Sequence, residues 1–139
     1  MAKTISFYIR GPLEEELSLR GDNRSNIINR DLERLYTLYR RAIREVPLTM
    51  AEACLIADSL NGSMMDANTA QVLWAGIADS IRLDGLAEKW DVDGPALVEK
   101  MQGLSALQAM ALVDAAERFW EMENVPLEEG VRKVFNVTD

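Results

Sequence analysis

The sequence predicts a mainly α-helical chain in two parts: a strand and two helices over residues 1–46, then an all-helical domain over 47–139. Three observations carry that prediction. Residues 3–10 alternate between apolar and polar side chains, residues 24–44 repeat at helical spacing, and the rest is punctuated by helix caps. The chain has 139 residues, 48% of them hydrophobic and 27% charged, enough to bury a core without disulfides or metals.

Ile5, Phe7 and Ile9 fall on one side of the opening segment, and Thr4, Ser6, Tyr8 and Arg10 on the other. Period two with β-branched and aromatic residues is the pattern of a half-buried strand. Gly11-Pro12 stops it, and Pro12 suits the start of a helix, whose positive end favours Glu14, Glu15 and Glu16. Gly21-Asp22 ends that helix after about two turns. Asn23 is a good N-cap for a longer second helix to Arg44, whose apolar stripe is Ile28, Leu32, Leu35, Tyr39 and Ile43.

Val46-Pro47 marks the boundary between the two parts. Thr49-Met50-Ala51-Glu52 and Ser105-Ala106-Leu107-Gln108 both have the capping-box pattern, in which a hydroxyl and a side chain three residues later satisfy each other's backbone N–H. The first opens a helix closed by Asn61-Gly62, and the second a long helix to about Glu123. Between them the sequence predicts a helix from Asn68 to Leu83, a short one at Leu86–Trp90, and one from Asp93-Gly94-Pro95 to Gly103. Pro126 introduces a final helix, Leu127–Phe135, which Gly130 is expected to interrupt. The segments LTMAEACLIAD from Leu48 and LSALQAMALVD from Leu104 resemble each other, which shared capping chemistry on two apolar helices explains.

Composition excludes several chemistries. With no histidine and one cysteine (Cys54), neither a Ser-His-Asp site, a Cys-His site nor an ordinary zinc site can be built. The sequence contains no phosphate-binding glycine loop and no calcium loop. The aspartates 58, 79, 84, 91, 93 and 114 lack ligand spacing and suit helix ends and solvated faces. Trp74, Trp90, Phe119 and Trp120 are expected as core anchors, and Met50, Met64, Met65, Met101, Met110 and Met122 as core filling. The expectation is a protein that is not an enzyme and needs neither metal nor cofactor. No apolar run approaches the length that spans a bilayer, and the N-terminus lacks a signal-peptide core, so a cytoplasmic, non-membrane protein is expected.

Charge divides the chain more sharply than hydropathy does. The net charge of −8 combines nine Lys/Arg against seven acids in residues 1–46 with six against sixteen in the remainder. A partner that is a polyanion would meet the first part, because the second repels it. The lone strand also needs a hydrogen-bonding mate, and no neighbouring segment supplies one. The same strand of a second copy would do so across a two-fold axis, giving an antiparallel ribbon that displays Thr4, Ser6, Tyr8 and Arg10 twice.

Residues 3–44 resemble the ribbon-helix-helix (Arc/MetJ/CopG-like) family of prokaryotic DNA-binding proteins. The carrying features are the alternating strand closed by Ile9-Arg10-Gly11-Pro12, and the helix opening Gly21-Asp22-Asn23-Arg24-Ser25 followed by Ile27-Ile28 and Leu32. The resemblance implies a homodimer whose ribbon enters the major groove of double-stranded DNA, with dimers joining on adjacent half-sites. By the same resemblance the base readers are Ser6, Tyr8 and Arg10, with Thr4 in a shifted register. Asn23, Arg24 and Ser25 would hold a backbone phosphate at a helix N-terminus. Ile5, Phe7, Ile9, Ile28, Leu32 and Leu35 would form the dimer core. The function this implies is transcriptional repression by operator occupancy. The alternative is a protein–protein module, an antitoxin-like adaptor in which the ribbon only dimerises and the helical domain binds a partner. For the helical domain, oligomerisation, a ligand or a protein partner all stay open.

Overall fold

A computed structural model of the chain describes residues 11–21, 23–60 and 85–139. Among these residues the protein is mainly helical, with seven helices and no strand. They are α1 (Gly11–Leu19), α2 (Arg24–Arg44), α3 (Met50–Ser59), α4 (Leu86–Lys89), α5 (Gly94–Gln102), α6 (Ala106–Glu121) and α7 (Leu127–Val134). The expected strand over 3–10, with Thr4, Ile5, Ser6, Phe7, Tyr8, Ile9 and Arg10, lies outside the described residues, as does the expected helix over 68–83. By contacts the chain divides into Met1–Thr37 and Leu38–Asp139, so α2 begins in the first unit and its last two turns pack within the second.

In the first unit α1 and α2 are separated by a short turn. Gly21 sits there at φ 101°, a conformation that a side chain would disfavour, which is why the sequence places glycine at the break. Leu17 is the buried side chain of α1. The first hydrogen bond of α2 runs from the Ile27 N–H to the Asn23 carbonyl, so the chain turns helical where the asparagine predicts.

The second unit is built around α3. Five successive residues, Ala53, Cys54, Leu55, Ile56 and Ala57, are buried, so this helix is covered on every side. It packs against α4, α6 and α7, and α6 packs against α7. Ala42 and Ile43 of α2, Leu97 of α5, Leu112 of α6 and Val131 of α7 complete one contiguous core. Small residues on α6 (Ala109, Ala111, Ala115, Ala116) are buried and permit close helix approach.

The caps are where the sequence puts them. Glu52 N–H donates to Thr49 Oγ1 (3.1 Å) and Thr49 N–H to Glu52 Oε1 (2.9 Å). Ser105 and Gln108 repeat the arrangement at 3.1 and 2.9 Å. Asp93 Oδ1 accepts from Ala96 N–H at 3.1 Å, capping α5. Each such cap is worth about 1 kcal/mol.

Two expectations are corrected. Gly130 does not interrupt the last helix: α7 is continuous, and the glycine is buried in it. A Cβ at this position would lie 3.0 Å from Phe119 Cε2, so the missing side chain serves packing. Trp120 is not a core anchor, because it is 43% exposed. Its indole N–H nevertheless donates to the Ala57 carbonyl at 2.7 Å, and its ring meets Phe119 edge-on at 5.2 Å. Trp90, Phe119, Met50 and Met122 pack against the core as expected, and Met101 lies within it.

Candidate nucleic-acid interface

The basic character of the first part is concentrated on α2, which carries six arginines against two acids, Asp31 and Glu33. Asn23, Arg24 and Ser25, the expected phosphate contacts, are all exposed at its N-terminus. Here the first backbone N–H groups of a helix lack intrahelical partners and the dipole is positive. Arg24 is directed by α1: its Nη2 donates to Ser18 Oγ at 3.3 Å, and that hydroxyl donates to the Glu14 carbonyl at 2.9 Å. A neutral hydroxyl occupies one N–H of the guanidinium fork and itself cancels none of the charge.

Arg20 and Arg30 are placed differently. Asp31 Oδ2 accepts from Arg20 Nη1 at 2.7 Å, and Asp31 Oδ1 accepts from Arg20 Nη2 at 3.5 Å and from Arg30 Nε at 3.3 Å. One carboxylate thus serves two guanidinium groups. The Arg20 hydrogen bond holds the Asp31 carboxyl below its ordinary value, and the same bond raises Arg20. Sequence reading missed this pairing. Arg20 and Asp31 are eleven residues apart across a turn, and no helix-surface spacing links them.

The expected dimer-core residues of α2 form a face that the single chain leaves largely uncovered. Ile28, Leu32 and Leu35 recur at helical spacing; Ile28 is partly buried, while Leu32 and Leu35 are 55% and 43% exposed. Tyr36 and Leu38 are exposed beside them. The expected base readers Thr4, Ser6, Tyr8 and Arg10 and the strand core Ile5, Phe7 and Ile9 lie outside the described residues.

Among the described residues of the acidic second unit, Asp58, Asp93, Asp114 and Asp139 have partners within it. Asp58 Oδ2 accepts from Lys89 Nζ (2.7 Å) and Trp90 Nε1 (3.0 Å), and the lysine bond in particular holds its carboxyl below the ordinary value. Asp114 lies 3.0 Å from Arg118 Nε, yet burial outweighs that pairing and pushes its carboxyl up. Burial, with Asp114 and Glu117 nearby, raises the Tyr39 hydroxyl, and burial raises the Cys54 thiol. Asp79 and Asp84 lie outside the described residues. Among the described residues no group of three or more His, Cys, Asp or Glu is placed to hold a metal ion, and no helix is long and apolar enough to cross a membrane. Compared with known protein families, curated proteins and solved structures, the chain matches none.

Proposed function

We propose that the chain is a sequence-specific DNA-binding protein that acts as a homodimer, with transcriptional repression by operator occupancy as its role. The observation that carries this is the apolar face of α2. Leu32 at 55% and Leu35 at 43% exposure leave a hydrophobic surface that a second copy of the same helix would cover. The exposed α2 N-terminus, with Arg24 beside it, supplies the chemistry for a backbone phosphate. α2 carries six arginines against two acids, and Arg24, Arg30 and Arg34 of these lie in the first unit, where a polyanion would meet them.

The test has two stages. The mass of the purified full chain in solution is expected to be that of a dimer. A gel shift on the DNA upstream of its own coding sequence is then expected to show binding that weakens steeply with salt. Arg10→Ala is expected to abolish sequence preference while leaving the dimer intact, since a bidentate arginine–guanine pair supplies about 1–3 kcal/mol of discrimination. A dimer that shifts no DNA at low salt would instead favour the adaptor role. A monomer at micromolar concentration would overturn both.

A further inference from the structure

We infer that Asp31 limits the affinity of this protein for DNA by withholding Arg20 and Arg30, leaving Arg24 as the arginine that the α1–α2 turn presents to a phosphate. The inference rests on the DNA-binding role proposed above and adds to it which cations take part.

The geometry separates the three arginines. Arg20 grips Asp31 through both terminal nitrogens, at 2.7 and 3.5 Å, and Arg30 adds a contact from Nε at 3.3 Å. A guanidinium already forked onto a carboxylate must break that pair before it can neutralise a phosphate, and the freed carboxylate would then repel the DNA. Among the described residues Arg24 meets only the neutral Ser18 hydroxyl, so it engages a phosphate without leaving a charge behind.

The salt dependence of binding reads this directly, because each phosphate neutralised contributes about 0.9 to the slope of log K against log salt. The probe is the upstream duplex that the wild-type chain shifts. Arg24→Ala, present in both protomers, is expected to reduce the slope by about 1.8, while Arg20→Ala leaves it unchanged. Asp31→Asn is expected to bind more tightly and to steepen the slope by about 0.9 for each arginine released. Adding Arg20→Ala to Asp31→Asn should remove two such increments, one from each protomer. Glu33→Gln, which changes net charge equally on the same helix, controls for the overall charge and should leave the slope unchanged.

An Asp31→Asn slope equal to wild type, or an Arg20→Ala slope lowered by about 1.8, would overturn the inference while the DNA-binding role stood. If Asp31→Asn loses its helical circular dichroism, the Arg20→Ala slope decides alone. A wild-type chain that shifts no DNA at any salt would overturn the inference together with the role it rests on.

Discussion

Lys100 Nζ lies 3.0 Å from Glu52 Oε1, tying the last turn of α5 to the first turn of α3. The same lysine reaches Glu52 Oε2 at 3.1 Å and the Pro47 carbonyl at 3.3 Å. A counterpart exists at the other capping box, where Gln108 Nε2 donates to Glu45 Oε2 at 3.1 Å. In each case a residue just ahead of one capping box holds the third helical residue of the other. The two helix entrances are therefore cross-braced, each cap keeping the other's side chain in position.

Lys100→Met is expected to destabilise the second unit by roughly 0.5–1 kcal/mol, because the lysine is partly exposed and the pair is screened. Urea unfolding checks this, and the loss should shrink in high salt. A double-mutant cycle with Glu52→Gln should show coupling. Additive losses would mean that the two side chains stabilise separately.

Asp58 and Asp114 respond to acid with opposite signs. Asp58 has a lowered carboxyl, so its contribution is present above the unfolded value near 3.8 and is lost as pH falls through the lower folded value. Asp58→Asn should cost about 1 kcal/mol at neutral pH and nothing once wild type is protonated. Asp114 has a raised carboxyl, so the native state holds its proton more tightly and stability declines as pH rises from 3.8 through the folded value. Asp114→Asn is expected to leave the neutral-pH melting temperature unchanged or higher. A larger loss for Asp114→Asn than for Asp58→Asn would show that the Arg118 pair outweighs burial.

Gly130→Ala sets two known effects against each other. Alanine gains up to about 1 kcal/mol of helix propensity, but its Cβ would stand 3.0 and 3.1 Å from the Phe119 ring. That ring is itself held edge-on by Trp120, and overpacking costs about 1–3 kcal/mol. A net loss of about 1 kcal/mol is expected, recovered in part by Phe119→Leu. A stabilised Gly130→Ala would mean the ring moves freely.

Leu32→Glu is expected to shift the solution mass from dimer to monomer, since it places a charge on the exposed apolar face of α2. The melting of the second unit should be unaffected, because Leu32 belongs to the first. Sedimentation at several concentrations measures the shift. An unchanged mass would remove α2 from the dimer contact.

Local chemistry was the legible part of this chain. Thr49, Asp93 and Ser105 were readable as caps because each satisfies backbone groups within three residues, a relation that sequence order contains. Gly130 was misread because propensity marks glycine as a breaker, while its neighbour Phe119 comes from another helix. Trp120 was misplaced for a similar reason: helical period assigns a face, and which face is covered depends on tertiary packing. At the candidate interface, Arg24 was visible from its position at a helix start. The Arg20–Asp31 pair was not, since it forms only when the Gly21 turn folds α1 back toward α2.

Residues 136–139 lie alongside 44–50: Leu48 N–H donates to the Asn136 carbonyl, Thr138 N–H to Leu48, Asn136 Nδ2 to the Arg44 carbonyl, and Met50 N–H to Asp139. Where the polypeptide enters the helical unit is thus next to where residue 138 arrives. Neighbouring entry and exit points are what allow a domain to be grafted into a host loop or circularly permuted. A rearranged chain, with residue 139 joined to residue 45 by a short linker and new ends opened at the exposed Gln102–Gly103 turn, should keep the hydrophobic interior apart from Ala42 and Ile43, which the cut removes.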